Sequence, residues 1–154
     1  MLFDSLMLHA VVTDLRGRLV GRRITRVFQT SRAQTVLEVR ASEPPGQLVL
    51  SACPTFGRIH LDDEWEPNPT VSFPLGAVLQ RWLRSAVIAD IEQRGFDRAV
   101  RISFANARAL GPQSRCVLVL ETMGRLSNAL LTDADGVILE AVTNVTRDRN
   151  RYRQ

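Results

Sequence analysis

Lysine is absent from this 154-residue sequence, and all twenty of its basic residues are arginine. Cysteine and histidine are scarce. Cys53 and Cys116 form no Cys-x-x-Cys pair, and neither His9 nor His60 has a cysteine or carboxylate at metal-ligand spacing. These shortages argue against a zinc site and against a disulfide framework. We therefore predict buried, reduced thiols, structural histidines and no bound metal.

Long apolar runs and the common catalytic motifs are missing as well. No apolar run approaches the ~20 residues that span a bilayer. The first residues lack a basic segment and carry Asp4 and His9 inside their apolar stretch, which argues against a signal peptide. No GxxxxGK[ST], GxGxxG, GxSxG or HExxH pattern occurs. We expect a cytoplasmic protein that needs no cofactor, contacts no membrane and is not an enzyme.

The composition is that of an ordinary globular domain. Hydrophobic residues make up 45% and charged residues 23%, which predicts one domain over residues 1–154, with 147–154 as a flexible tail or the start of a linker. The net charge of +4 permits a nucleic-acid partner without demanding one. Two explanations account for arginine in place of lysine. The first is genomic base composition or adaptation to heat, and the second is phosphate binding by the guanidinium fork.

Periodicity predicts two helices and nine strands. Residues 4–19 and 75–84 repeat apolar side chains every three or four positions, as amphipathic helices do. Alternating apolar runs between turn residues predict strands over residues 22–29, 35–40, 47–52, 57–61, 87–94, 99–104, 115–121, 128–132 and 137–141. The predicted fold class is α+β: a mostly antiparallel, sandwich-like domain with two helices.

Six short segments, in order along the chain, resemble one protein family. They are LFDSLMLHA (2–10), LVGRRI (19–24), LSA with RIHL (50–52 and 58–61), GFDR (95–98), ETMGR with SN (121–125 and 127–128), and NRYR (150–153). Together they resemble the NFACT N-terminal domain of the RqcH and NEMF ribosome quality-control proteins, formerly named fibronectin-binding proteins. Leu126 departs from the histidine that the family pattern has at this position.

The resemblance implies a fold related to the N-terminal domain of formamidopyrimidine-DNA glycosylases. It also implies a module that binds tRNA and the large ribosomal subunit obstructed by peptidyl-tRNA. Such proteins support untemplated alanine tailing of the stalled chain, and the ribosome supplies the peptidyl-transfer chemistry. Family members continue into a coiled coil and a second nucleic-acid-binding domain, so we expect this chain to be part of a longer protein.

The family's functional residues map onto Asp97, Arg98 and Asp4. An arginine on a turn can contact a phosphate or stack on an unpaired base, and a neighbouring carboxylate can orient it or accept a hydrogen bond from a base edge. The alternatives are an ordinary Asp-Arg turn and, for Asp4, a helix N-cap. Arg125, beside Gly124, and Arg58 are further candidates for tRNA contacts, as is the arginine-rich tail. Whether Asp4 and Asp97 share one groove is left open.

Two other functions stay in competition. The related fold suggests a DNA glycosylase, but such enzymes use an N-terminal proline as nucleophile, and this chain begins with Met1 and Leu2. The old family name suggests an adhesin that binds fibronectin or fibrinogen. Strand cleavage of oxidised-base DNA would support the first, and detection of the protein outside the cell would support the second.

Overall fold

A computed structural model of the chain describes residues 5–40, 46–53, 57–62, 73–95, 98–106, 114–122 and 127–143. Two helices and two antiparallel sheets make up this part, which confirms the predicted α+β class. The elements follow in the order α1 (Ser5–Leu19), β1 (Ile24–Gln29), β2 (Gln34–Val39), β3 (Gly46–Ser51), β4 (Arg58–Asp62), α2 (Pro74–Leu83), β5 (Val87–Gln93), β6 (Ala99–Ala105), β7 (Arg115–Glu121), β8 (Asn128–Asp133) and β9 (Ile138–Ala141). Every predicted helix and strand is present, with ends shifted by at most two residues.

Each sheet is a meander in which chain neighbours pair. The first has the strand order β1-β2-β3-β4 and the second β5-β6-β7-β8-β9. In the first sheet Leu37 pairs with Leu48, and both side chains are fully buried in the core. Val36 pairs with Val49 on the opposite face, because successive side chains of a strand alternate. β2 and β3 therefore form an antiparallel hairpin, and residues 41–45 of its turn lie outside the described part.

The helices close the core that the two sheets share. α1 packs on β5 and β4, and α2 packs on β1, β8 and β9. Leu8, Val12, Leu15 and Leu19 form the buried stripe of α1, as the periodicity predicts. Trp82 of α2 is partly buried against the same core.

The start of α2 is held by a side chain from a distant strand. Its N-cap residue, Phe73, offers no capping side chain, and Pro74 follows. Gln29 at the end of β1 supplies the missing acceptor: the Gly76 N–H donates to Gln29 Oε1 at 2.7 Å, and Gln29 Nε2 donates to the Arg32 carbonyl at 2.7 Å. A Cβ at position 76 would lie 3.0 Å from Gln29 Oε1, so glycine makes this close approach possible.

The turn between β8 and β9 shows how local sequence sets one connection. Asp133 Oδ1 accepts hydrogen bonds from the N–H groups of Asp135 and Val137, each at 2.9 Å. Gly136 adopts a φ of 85°, a conformation that glycine reaches without steric cost. The local sequence of residues 133–136 therefore suffices to build this turn.

The prediction that both thiols are buried needs one correction. Neither Cys53 nor Cys116 forms a disulfide within the described residues. Cys116 is buried in β7, and burial raises its pKa to about 12. Cys53 is only half-buried, because it follows the end of β3 and does not lie within a strand, so the prediction of burial holds for Cys116 alone. Within the described ranges, no group of three His, Cys, Asp or Glu residues could hold a metal ion. No helix in those ranges is long and apolar enough to cross a membrane.

Candidate nucleic-acid interface

Two of the five predicted site residues lie in the described part of the chain. Arg58 is the first residue of β4, and its side chain is exposed. Arg98 directly precedes β6 and is half-buried. Asp4, Asp97 and Arg125 lie outside the described residues. Each of them adjoins or falls between described neighbours, whose positions define the surroundings of the candidate site.

Thr122, the residue after β7, fixes the backbone at Arg98. Its N–H donates to the Arg98 carbonyl at 2.8 Å, and its hydroxyl donates to the same oxygen at 3.3 Å. These bonds extend the β6–β7 ladder by one step, since Ala99 pairs with Glu121. Arg98 is therefore held at the end of the second sheet, beside the point where the chain leaves β7.

Gly57 brings the first sheet to the same place. A Cβ on Gly57 would lie 3.2 Å from Thr122 Cβ and 3.3 Å from Ser127 Oγ. Thr122 and Ser127 flank residues 123–126, the connection that contains Arg125. Since a side chain at position 57 would crowd both, glycine permits the close approach of the start of β4 to Thr122 and Ser127. Gly57, next to Arg58, and Arg98, from the other sheet, thus both lie beside Thr122.

Asn128 ties the chain beyond β9 to this end of the domain. Its Oδ1 accepts hydrogen bonds from the N–H groups of Thr143 and Ala129, both at 3.0 Å, and its Nδ2 donates to the Thr143 carbonyl at 2.8 Å. Asn128 pairs with Glu121 in the β7–β8 ladder. The sequence after Thr143 holds the four tail arginines at positions 147, 149, 151 and 153, and residues 144–154 lie outside the described part.

The first turn of α1 points toward the same end. Gly21, just after the helix, donates its N–H to the Ile88 carbonyl at 2.8 Å, and Arg16 forms an ion pair with Asp90 at 3.0 Å. α1 therefore runs antiparallel to β5, and its beginning at Ser5 lies toward the end of β5 at which the chain turns to Arg98. Asp4 is the residue directly before Ser5 in the sequence.

Sequence reasoning missed the residues that position this site. Thr122, Ser127 and Asn128 fall inside or beside the segments that resemble the family, but none of them carries the charge that marks a phosphate contact. Glu121, next to them, is only 1% exposed, and a buried carboxylate is stable only with compensating partners. The sequence does contain one indication of them: polar residues stand at the ends of two apolar strands, at positions that the core does not need to be polar.

The side chains in the described part of the site are suited to binding. The described part of the site offers two guanidinium groups, each with up to five hydrogen-bond donors and a permanent positive charge. Such groups suit phosphate oxygens and planar bases.

Comparisons with known proteins identify the family. The family model described as "NFACT N-terminal and middle domains" matches residues 4–154. The protein Rqc2 homolog RqcH of Streptococcus pneumoniae serotype 2 (strain D39) is 37% identical over 99% of this chain and 28% of its own length. RqcH of Bacillus subtilis (strain 168) is 29% identical over 99% of this chain and 27% of its own length.

A solved structure is similar over nearly the whole chain. It is the N-terminal domain of the fibronectin-binding protein PavA from Streptococcus pneumoniae, with a TM-score of 0.85 and 36% identity over 94% of this chain and 55% of that one. This chain spans less than a third of the curated relatives' length. The ordered segments, the fold and the family model agree: the chain belongs to the NFACT N-terminal family of ribosome quality-control proteins.

Proposed function

We propose that this chain is a tRNA- and large-subunit-binding module, and that it supports untemplated alanine tailing of stalled nascent chains as part of a longer protein. One observation carries the proposal. Thr122, at the start of the connection that contains Arg125, bonds the Arg98 carbonyl and lies beside Gly57, the residue before Arg58 in the other sheet. Convergence of arginines from separate elements at one end of a domain is typical of an RNA-binding surface.

Within the proposed site, Arg98 contacts a phosphate or stacks on an unpaired base of the tRNA. Asp97 beside it repels phosphate, so its role is to orient the guanidinium or to accept a hydrogen bond from an exocyclic amine. Arg58 and Arg125 contribute phosphate contacts. The fixed Arg98 backbone supports this arrangement, because a preorganised donor loses less entropy on binding.

The proposed module is not itself a catalyst. Peptidyl transfer belongs to the obstructed large subunit and its peptidyl-tRNA, and the module positions the incoming tRNA. The proposed function implies that the protein acts in the cytoplasm, where those partners occur, and that it needs no cofactor.

A binding titration tests the tRNA contact directly. Fluorescently labelled tRNA is titrated with the parent chain and with the D97A/R98A variant. Because the variant lacks the charged Arg98 guanidinium and its hydrogen bonds, its affinity for tRNA should be about tenfold lower or weaker still. The variant keeps the Arg98 carbonyl that Thr122 bonds, so circular dichroism should be unchanged. The matched control is R101Q, a partly exposed arginine that already faces Glu92 at 3.9 Å, with an expected change within about twofold.

The binding should also depend on salt, since each neutralised phosphate releases counterions. Equal tRNA affinities for the parent chain and for D97A/R98A would contradict the proposed site. In cells, the same two substitutions in the native gene should remove alanine tails from stalled chains, as read by mass spectrometry. Tails of normal length and abundance would contradict the tailing role.

A second candidate is binding to fibronectin or fibrinogen, because the solved structure similar over most of the chain carries the name fibronectin-binding protein. Surface plasmon resonance on immobilised fibronectin separates the two proposals. Binding that persists in D97A/R98A and is unaffected by competing tRNA would favour the adhesin. Binding to tRNA alone would favour the ribosomal role.

A further inference from the structure

Three arginines lie on one row of residues that crosses both sheets at the end of the molecule opposite Arg98. The row runs through Arg40, Arg23, Val87, Ala105 and Arg115. The Arg40 N–H donates to the Arg23 carbonyl at 2.8 Å, and Arg23 forms an antiparallel bridge with Val87. Val87 then pairs with Ala105, and Ala105 pairs with Arg115. At about 4.8 Å per strand, the row is roughly 19 Å long.

The side chains of this row point away from the core. Directly opposed residues of an antiparallel pair project to the same face, and successive residues of a strand alternate. Ile24 and Ile88, the next residues along β1 and β5, are fully buried. Arg23 therefore projects outward, and Arg40 and Arg115 at the two ends of the row are exposed.

Two further arginines adjoin the row. The Arg22 carbonyl accepts a hydrogen bond from the Ile88 N–H at 2.8 Å, and the Arg84 carbonyl accepts one from Asn106 Nδ2 at 3.3 Å. These bonds place both residues at the same end of the domain as Arg23 and Arg115. Arg84 is exposed and Arg22 is half-buried.

Within the described residues, none of the five arginines at this end forms an ion pair, whereas Arg16, Arg18 and Arg101 do. The carboxylates nearby are engaged elsewhere. Asp14 faces Arg18 at 3.4 Å, Asp90 faces Arg16 at 3.0 Å, and Glu38 accepts a hydrogen bond from Thr25 at 2.9 Å.

We propose that this arginine row is a second RNA-binding surface, which grips the phosphodiester backbone of an RNA strand. Guanidinium groups in a line match a run of phosphates. Val87 and Ala105, between the arginines, have small apolar side chains that offer neither hydrogen bonds nor stacking to bases, so the surface reads backbone and not sequence.

The row lies a full strand length from the proposed tRNA site. β6 runs from Ala99, beside Arg98, to Ala105 in the row, about 20 Å at roughly 3.3 Å per residue. The domain thus presents basic surfaces at both ends and bridges two RNA segments. This inference does not rest on the tRNA site, since no residue is shared between the two surfaces.

The salt dependence of RNA binding tests the row. The probe is a labelled oligouridylate of about 20 nucleotides, titrated between about 50 and 200 mM salt. The R23Q/R40Q/R115Q variant should reduce the slope of log affinity against log salt by about 2, because single strands contribute about 0.7 per phosphate contact. The matched control is R26Q/R81Q/R101Q, which removes the same charge from other surfaces and should change the slope by less than about 0.5.

Each outcome supports or overturns the proposal. Equal slope losses in the row variant and the control would mean that net charge alone matters, and an unchanged slope in the row variant would mean that the row is not used. Both results overturn the inference. The inference is also overturned if the row variant loses binding to phosphatidylserine vesicles but keeps its affinity for RNA. Because β-strand substitutions can unfold a domain, R40Q and R115Q are also tested singly, each with an expected slope loss of about 0.7.

The two proposals fail separately. In the D97A/R98A background the row substitutions should still reduce the slope by about 2, whatever the affinity for tRNA. A slope that does not respond to the row substitutions in that background would show that the row binds no RNA by itself, and it would overturn the second surface.

Discussion

Replacing Asn128 with alanine should destabilise the domain more than any comparable asparagine change in the described part of the chain. Asn128 is 1% exposed, and its amide makes three hydrogen bonds to backbone groups of Ala129 and Thr143. A buried hydrogen bond contributes about 1 kcal/mol, so the substitution should cost about 3 kcal/mol. For a domain of this size, that corresponds to a fall in Tm of about 6–12 °C.

Urea denaturation and thermal melting measure this cost, and hydrogen exchange at the Thr143 amide measures where it acts. The Thr143 N–H should exchange much faster in N128A, because its acceptor is gone. N128D tests the donor alone. It keeps the acceptor atoms but sets a carboxylate oxygen where Nδ2 donates to the Thr143 carbonyl at 2.8 Å.

The matched control is N106A. Asn106 Nδ2 donates to the Arg84 carbonyl at 3.3 Å from a half-buried position, and its loss should cost less than about 1 kcal/mol. Similar stabilities for N128A and N106A, or unchanged exchange at Thr143 in N128A, would refute the reasoning that Asn128 fastens the chain beyond β9 to the candidate site.

Two further predictions concern other buried groups. Q29M keeps the volume of the side chain but leaves the Gly76 N–H at the start of α2 without its acceptor. It should lower the free energy of unfolding, measured by urea titration, by about 2–4 kcal/mol. Its control is Q80M: Gln80 lies in α2 and donates one bond to the Val27 carbonyl, so this change should lower that free energy by less than about 1 kcal/mol. Burial raises the pKa of Cys116 from 9.0 to about 12, so at pH 8 its thiolate population is about a thousandfold below that of an ordinary thiol. A disulfide reagent should titrate Cys53 in the folded chain and Cys116 only in guanidinium, and rapid labelling of both would contradict this. Because the folded pKa exceeds the unfolded one, the stability due to the buried thiol is complete below pH 9 and is lost as the pH rises toward 12; C116A should show a smaller alkaline loss in urea titrations at pH 8 and 10.

Sequence periodicity was sufficient for the secondary structure because its determinants are local. The apolar stripe of α1 and the alternation in β2 and β3 depend on which face of one element meets the core, and residues a few positions apart report that face. Asp133 and Gly136 define their turn within four residues, so the β8–β9 connection could be read from the sequence as well. The prediction for Cys53 was wrong because the alternation does not mark where a strand ends.

The candidate site was only partly predictable. Arg58 and Arg98 carry the charge and the family resemblance that mark them in sequence, but neither pattern says that their segments meet at Thr122. That meeting depends on Gly57, whose missing side chain allows the start of β4 to approach Thr122, and on a hydrogen bond from Thr122 to the Arg98 carbonyl. Such contacts depend on how two sheets pack, which no local pattern reports.

By itself, the sequence determined the elements, their order and the family, because local periodicity and ordered segments are properties of neighbouring residues. The tertiary structure decided what lies beside what: Gln29 at the start of a helix 47 residues away, Gly57 and Arg98 beside Thr122, and Arg40, Arg23 and Arg115 on one row. The physical reason is that strand register and sheet packing act between residues far apart in the chain, and only the folded domain brings them together.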